Sequence, residues 1–72
     1  MIDIHLKRKQ RGLELKELRC QSGLSQTQLA KISGLGQNTI SQIESAKIGW
    51  SVNVEIIYVE TINEYNLSKI KQ

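Results

Sequence analysis

The sequence predicts an all-α domain of five helices, and three observations carry that prediction. None of the 72 residues is Pro, so nothing in the chain forces a helix to break. The apolar residues, 39% of the chain and without a single Phe, recur at helical spacing and are chiefly Leu, Ile and Val. Four glycines, Gly23, Gly34, Gly36 and Gly49, fall where the periodic segments end. The expected organisation is one domain over residues 1–72. A core this small leaves a thin margin over chain entropy, so oligomerisation is an expected aid.

Residues 1–10 read as a basic N-terminal extension. Leu13, Leu15, Leu18 and Cys20 then mark a first helix of about three turns stopped by Gly23, with Cys20 on its apolar side as a small core residue. Ser25 is a good cap for the second helix, and Gln28 three residues later makes a partial capping box. That helix runs through Leu29, Ala30 and Ile32 to Gly34. The third covers residues 37–45, with Ile40 and Ile43 on one apolar face. Ser51 caps a fourth helix whose Val52, Ile56, Val59 and Ile62 form a stripe, and Asn63 stops it. Asn66 caps a short fifth helix carrying Leu67 and Ile70. A strand competes for part of residues 52–59, because Val52, Val54, Ile56, Ile57 and Val59 are β-branched and residues 52, 54 and 56 alternate. Ile2, Ile4 and Leu6 alternate in the same way.

Composition narrows the function classes. One Cys makes no internal disulfide, and one Cys with one His, the surface residue His5, builds neither a metal site nor a nucleophile–base–orienter set. No enzyme activity, cofactor or metal is expected. No apolar run is long enough to span a membrane, and no signal-peptide stretch opens the chain, so the expected location is cytoplasmic. The net charge is +3 and unevenly spread. Residues 1–19 hold six basic side chains, Lys7, Arg8, Lys9, Arg11, Lys16 and Arg19, against three acidic ones. That imbalance suits nucleic acid or another acidic surface, and suits a solvated helix face equally well.

The informative stretch lies between Gln26 and Ser45. Ala30 leaves room for close helix approach, and Gly34 permits the left-handed conformation of a sharp turn. Leu29, Leu35, Ile40 and Ile43 face inward, which leaves Gln37, Asn38, Ser41 and Gln42 outward on the third helix. Short amides and hydroxyls are the side chains that read base edges: Gln and Asn pair bidentately with adenine, and Ser with several bases.

The segment LKELRCQSGLSQTQLAKISGLGQNTISQIESAK, residues 15–47, resembles the lambda-repressor-like helix-turn-helix family, the Cro/repressor-type (XRE) regulators of phages, plasmids and bacteria. The resemblance rests on LKELR, GLSQ, LA, G and TISQIE at the family's spacing without a gap. It implies a five-helix lambda-repressor-like fold with a helix-turn-helix at residues 26–45. It also implies base reading by Gln37, Asn38, Ser41 and Gln42, and backbone contacts by Arg19, Ser25, Gln26, Gly36 and Lys47. Glu44, closing the recognition helix, would brace Arg19 toward a phosphate, and Gln26 would brace the recognition helix as well as touch DNA. The chain departs from the family's pattern in five places. Gly36 stands where Ser or Thr is usual, and Ala46 replaces a Gly that often has positive φ. The loop Ile48-Gly49-Trp50 is less basic than usual, which shifts backbone charge contacts toward residues 7–11, with Trp50 expected as a lid on the core. Glu55 and Tyr58 occupy positions that are usually aliphatic.

The expected function is sequence-specific binding of a double-stranded DNA operator by a homodimer that regulates transcription, as a repressor. The dimer would meet through Tyr65, Leu67 and Ile70, residues that could equally close the monomer's own core. Two other functions stay open. One is an antitoxin that binds a toxin protein through residues 1–12 or 64–72 and autoregulates its operon. The other is a restriction–modification controller.

Overall fold

The computed structural model describes residues 4–47 and 49–70, with side chains described from Leu6 to Lys69 except Ile48. Four helices follow one another: α1 (Ile4–Gln21), α2 (Gln26–Ser33), α3 (Gln37–Ser45) and α4 (Val52–Ile70). No strand occurs among the described residues, so the helical reading of 52–59 holds over its competitor.

The expected count of five helices is corrected to four among the described residues. The N-terminal extension is absorbed from Ile4 onward into α1, an 18-residue helix that is about 27 Å long at 1.5 Å per residue. At the other end Asn63 does not stop the chain. It sits exposed while Tyr58, Ile62 and Tyr65 continue one inward stripe at i, i+4 and i+7, so packing on both sides of Asn63 carries α4 through it. The stripe is corrected in part: Val59 and Ile62 face in as expected, joined by Val54 and Tyr58, whereas Val52 and Ile56 are exposed.

Leu15, Leu24, Leu29, Ile40, Ile43, Tyr58 and Ile62 form the buried core, with Leu18, Ala30, Leu35, Trp50 and Tyr65 packed around it. Cys20 is exposed, which corrects its expected place in the core. In a helix the residue sharing Leu15's face is Arg19, one turn on, while Cys20 is rotated about 140° away.

The turns around the motif follow local chemistry. Gly23 at φ 79° ends α1, with the Gly23 and Leu24 amides donating back to Cys20 and Arg19. Ser25 and Gln28 complete a reciprocal capping box: Gln28 N donates to Ser25 Oγ at 3.1 Å, and Ser25 N to Gln28 Oε1 at 2.9 Å. Gly34 at φ 81° turns the chain between α2 and α3. Ser51 Oγ accepts from Val54 N and opens α4.

Gly12 lets α1 cross the end of α3. A Cβ there would stand 2.6 Å from the Ile43 carbonyl oxygen and 3.0 Å from that of Glu44. The side chains of His5 and Ile70, and all of Ile2 and Ile48, lie outside the described residues.

Candidate nucleic-acid interface

Hydrophobic anchoring of one side of α3 decides what the other side presents. Ile40 and Ile43 are buried, and Glu44 beside them is only 6% exposed. Gln37, Asn38, Ser41 and Gln42 are all exposed, and together they line the opposite face. The helix starts at Gly36, which has extended backbone and no side-chain cap bond. It ends at Ala46, whose φ of 57° is the one positive value among the described non-glycine residues. Ala46 N donates to the Ile43 carbonyl and Lys47 N to that of Gln42, which is the left-handed C-terminal motif that normally favours Gly.

Beneath α3 lies a buried polar cluster centred on the Glu44 carboxylate. Arg19 grips it with two nitrogens, Nε to Oε2 at 2.7 Å and Nη2 to Oε1 at 2.9 Å. Gln26 Nε2 donates to Oε1 at 3.1 Å. The Tyr58 hydroxyl stands 2.6 Å from Oε2 and 3.0 Å from the Leu15 carbonyl oxygen. Its single proton goes to the closer, charged acceptor. Burial by itself raises the Glu44 carboxyl, but the donors from Arg19, Tyr58 and Gln26 outweigh it and hold the group below the usual carboxylate range. Tyr58 moves the other way, because burial and the carboxylate beside it both disfavour a phenolate. At neutral pH the cluster is one carboxylate, one guanidinium, one phenol and one amide, all satisfied.

This geometry places Arg19 differently from the expected phosphate-facing guanidinium. Arg19 is 8% exposed, and its third bonded nitrogen, Nη1, donates to the Leu24 carbonyl at 2.8 Å. The guanidinium is therefore turned into the protein, where it ties α1 to α3 and to the α1–α2 turn. The bond between Glu44 and Arg19 is present as expected, buried beneath α3. Gln26 is half-buried at the start of α2, and its amide is oriented by Glu44. Ser25, Gly36 and Lys47 are exposed around the motif.

Two of the departures from the family's pattern have structural partners. Tyr58 supplies the phenol to Glu44. Glu55 accepts from Arg11 Nη2 at 3.3 Å and from Trp50 Nε1 at 3.1 Å, and those two donors lower its carboxyl. Trp50 thus lies half-buried against the core as a lid and is held there by Glu55. A phenol in an aliphatic position was the available sign of a polar partner inside.

Of the expected dimer contacts, Tyr65 is half-buried against this chain's own core with Lys69 Nζ 4.7 Å from its ring centre. Leu67 is exposed, and the Ile70 side chain is outside the described residues. Among the described residues no helix is long and apolar enough to cross a membrane.

A helix-turn-helix held rigidly by a buried ion pair, with a row of amides facing out, defines the class of molecule. The family model described as helix-turn-helix matches residues 15–52, just over half of the chain. The chain belongs to that family, the lambda-repressor-like, XRE-type helix-turn-helix proteins, a family of DNA-binding regulatory domains. No curated protein and no solved structure gives a significant match.

Proposed function

We propose that this protein is a transcriptional repressor that acts in the cytoplasm as a homodimer on a pseudo-palindromic DNA operator, the whole chain working as one domain. The observation that carries this reading is the exposed row Gln37, Asn38, Ser41 and Gln42 on a helix whose other side is locked by Ile40, Ile43 and Glu44. An amide offers a donor and an acceptor together, matching the major-groove edge of adenine. Gln26, Ser25, Gly36 and Lys47 flank that row and serve the sugar–phosphate backbone, which positions the helix without reading sequence. Arg19 contributes indirectly: it fixes Glu44, and Glu44 aims the Gln26 amide.

Each protomer places one α3 in a major groove, with half-site centres about 34 Å apart. Exposed Leu67 on α4 serves the contact between protomers. Repression is steric, a bound dimer denying polymerase the promoter.

The test is selection from a randomised duplex pool by the parent, Gln37→Ala and Lys31→Ala. The parent enriches a two-fold-related site. Gln37→Ala loses about 1–3 kcal/mol of discrimination at the base it reads, while Lys31→Ala on α2 keeps the parent's preference. Recovery of the parent's site by Gln37→Ala with undiminished preference would sink the assignment of α3 as the reading helix.

A further inference from the structure

The described arginines differ in what neutralises them. Arg19 holds Glu44, and Arg11 lies near Glu14 and Glu55. Arg8 is half-buried and has no carboxylate partner among the described residues. Gly12 brings α1 against the last carbonyls of α3, and Arg8 lies one turn earlier on the same side of α1. Its guanidinium therefore reaches the loop that follows α3. A Cβ on Gly49 would lie 3.4 Å from Arg8 Nη2, 3.5 Å from Cζ and 3.7 Å from Nε, so the guanidinium lies across the bare Gly49 backbone. Lys47, exposed and without an ion pair among the described residues, stands two residues away in that loop.

We propose that Arg8 binds a backbone phosphate of the DNA, extending the phosphate-binding edge of Lys47 and the α3–α4 loop onto the N-terminal half of α1. This rests on the DNA-binding reading above and adds a contact outside the matched residues 15–52. A guanidinium beside the Gly49 backbone, with no carboxylate partner among the described residues, is free to take an anion there, and its planar fork suits two phosphate oxygens. The loop it adjoins continues from the reading helix, so a duplex seated on α3 passes beside it. Gly49 itself puts no side chain against the guanidinium.

Phosphate contacts are blind to sequence, so the test needs no known operator. Binding to a random-sequence duplex of about two helical turns is measured across a salt series for the parent, Arg8→Gln, Arg8→Lys and Lys9→Gln. Lys9 is the comparison because it is exposed on another face of α1, beside Leu6, Gln10 and Leu13. Arg8→Gln reduces the slope of log affinity against log salt by about 0.9 per bound protomer. Arg8→Lys keeps most of the slope, and Lys9→Gln changes it far less than Arg8→Gln does. Circular dichroism and thermal melting check that all four proteins fold alike. An unchanged slope in Arg8→Gln, or an equal loss in Lys9→Gln, overturns the proposal. The regulator reading is decided separately, by whether the parent enriches any sequence from a randomised pool. Failure there leaves the Arg8 result standing as a sequence-independent contact.

Discussion

Gly12 of α1 and Ile43 of α3 meet without a side chain between them, so closely that even a methyl group on Gly12 would stand 2.6 Å from the Ile43 carbonyl oxygen. This contact fixes how deeply the reading helix seats against α1. In an isolated helix Gly→Ala is favourable by about 1 kcal/mol. Here the clash is with backbone, which has little freedom to give, and it wins over that gain. Gly12→Ala is therefore expected to lower the denaturation midpoint and to weaken DNA binding, although no DNA-facing residue has changed. A variant more stable than the parent would show that α1 and α3 do not meet in this way.

At Ala46 the sign reverses. Its φ of 57° costs a residue with a Cβ about 1–2 kcal/mol, and Gly carries no such cost. Ala46→Gly is expected to stabilise the fold by about 1 kcal/mol, net of the greater unfolded-state freedom of Gly. Urea denaturation reads this directly as a rise in midpoint at constant slope.

Tyr58→Phe keeps the ring in the core and removes only the hydroxyl. Since that hydroxyl donates to a buried carboxylate, its loss is expected to cost about 1.5–3 kcal/mol. The Leu15 carbonyl loses only a neighbour. Equal stability of Tyr58→Phe and the parent would place the phenol's proton elsewhere.

The Glu44 carboxyl lies below its ordinary value of 4.5 in the folded protein. A lowered folded-state pKa gives stability that is present in full above the unfolded value. That stability drains away as the pH falls from about 4.5 through the folded value. Melting temperature should therefore hold near neutral pH and fall on the acid side of this window. Glu44→Gln, less stable at neutral pH, should show a shallower acid limb. Parallel limbs for the two proteins would mean that other carboxylates set the acid response.

Local chemistry made the centre of the motif legible. Ser25, Gln28 and Gly34 act through their immediate neighbours, and Ile40 and Ile43 repeat on one side of a short helix, so the sequence alone locates α2, α3 and the outward amides. The ends were harder to read. Lys7, Arg8 and Lys9 resemble a solvated arm until Gly12 and Arg11 are seen to dock that stretch on α3 and Glu55. Asn63 is a helix stop only where no tertiary stripe continues past it, and Tyr65 supplies one. For Arg19 the resemblance implies a phosphate contact braced by Glu44. The pairing with Glu44 is present, while the depth of burial is not legible from the motif. The three-sided enclosure of Arg19 by Glu44, Leu24 and the core depends on partners up to 25 residues distant.

The Glu44 carboxylate touches all four helices at once: it belongs to α3 and accepts from Arg19 of α1, Gln26 of α2 and Tyr58 of α4. A joint of this kind ties their fates together. No helix can peel away at its contact with Glu44 without stripping a donor from a buried anion, so partial opening carries that cost on top of the lost packing. In amide hydrogen exchange, the slow protons of α2 and α3 should then share a single opening free energy and respond together to denaturant, as one cooperative unit. A protein of this size meets DNA with its reading surface either wholly assembled or absent.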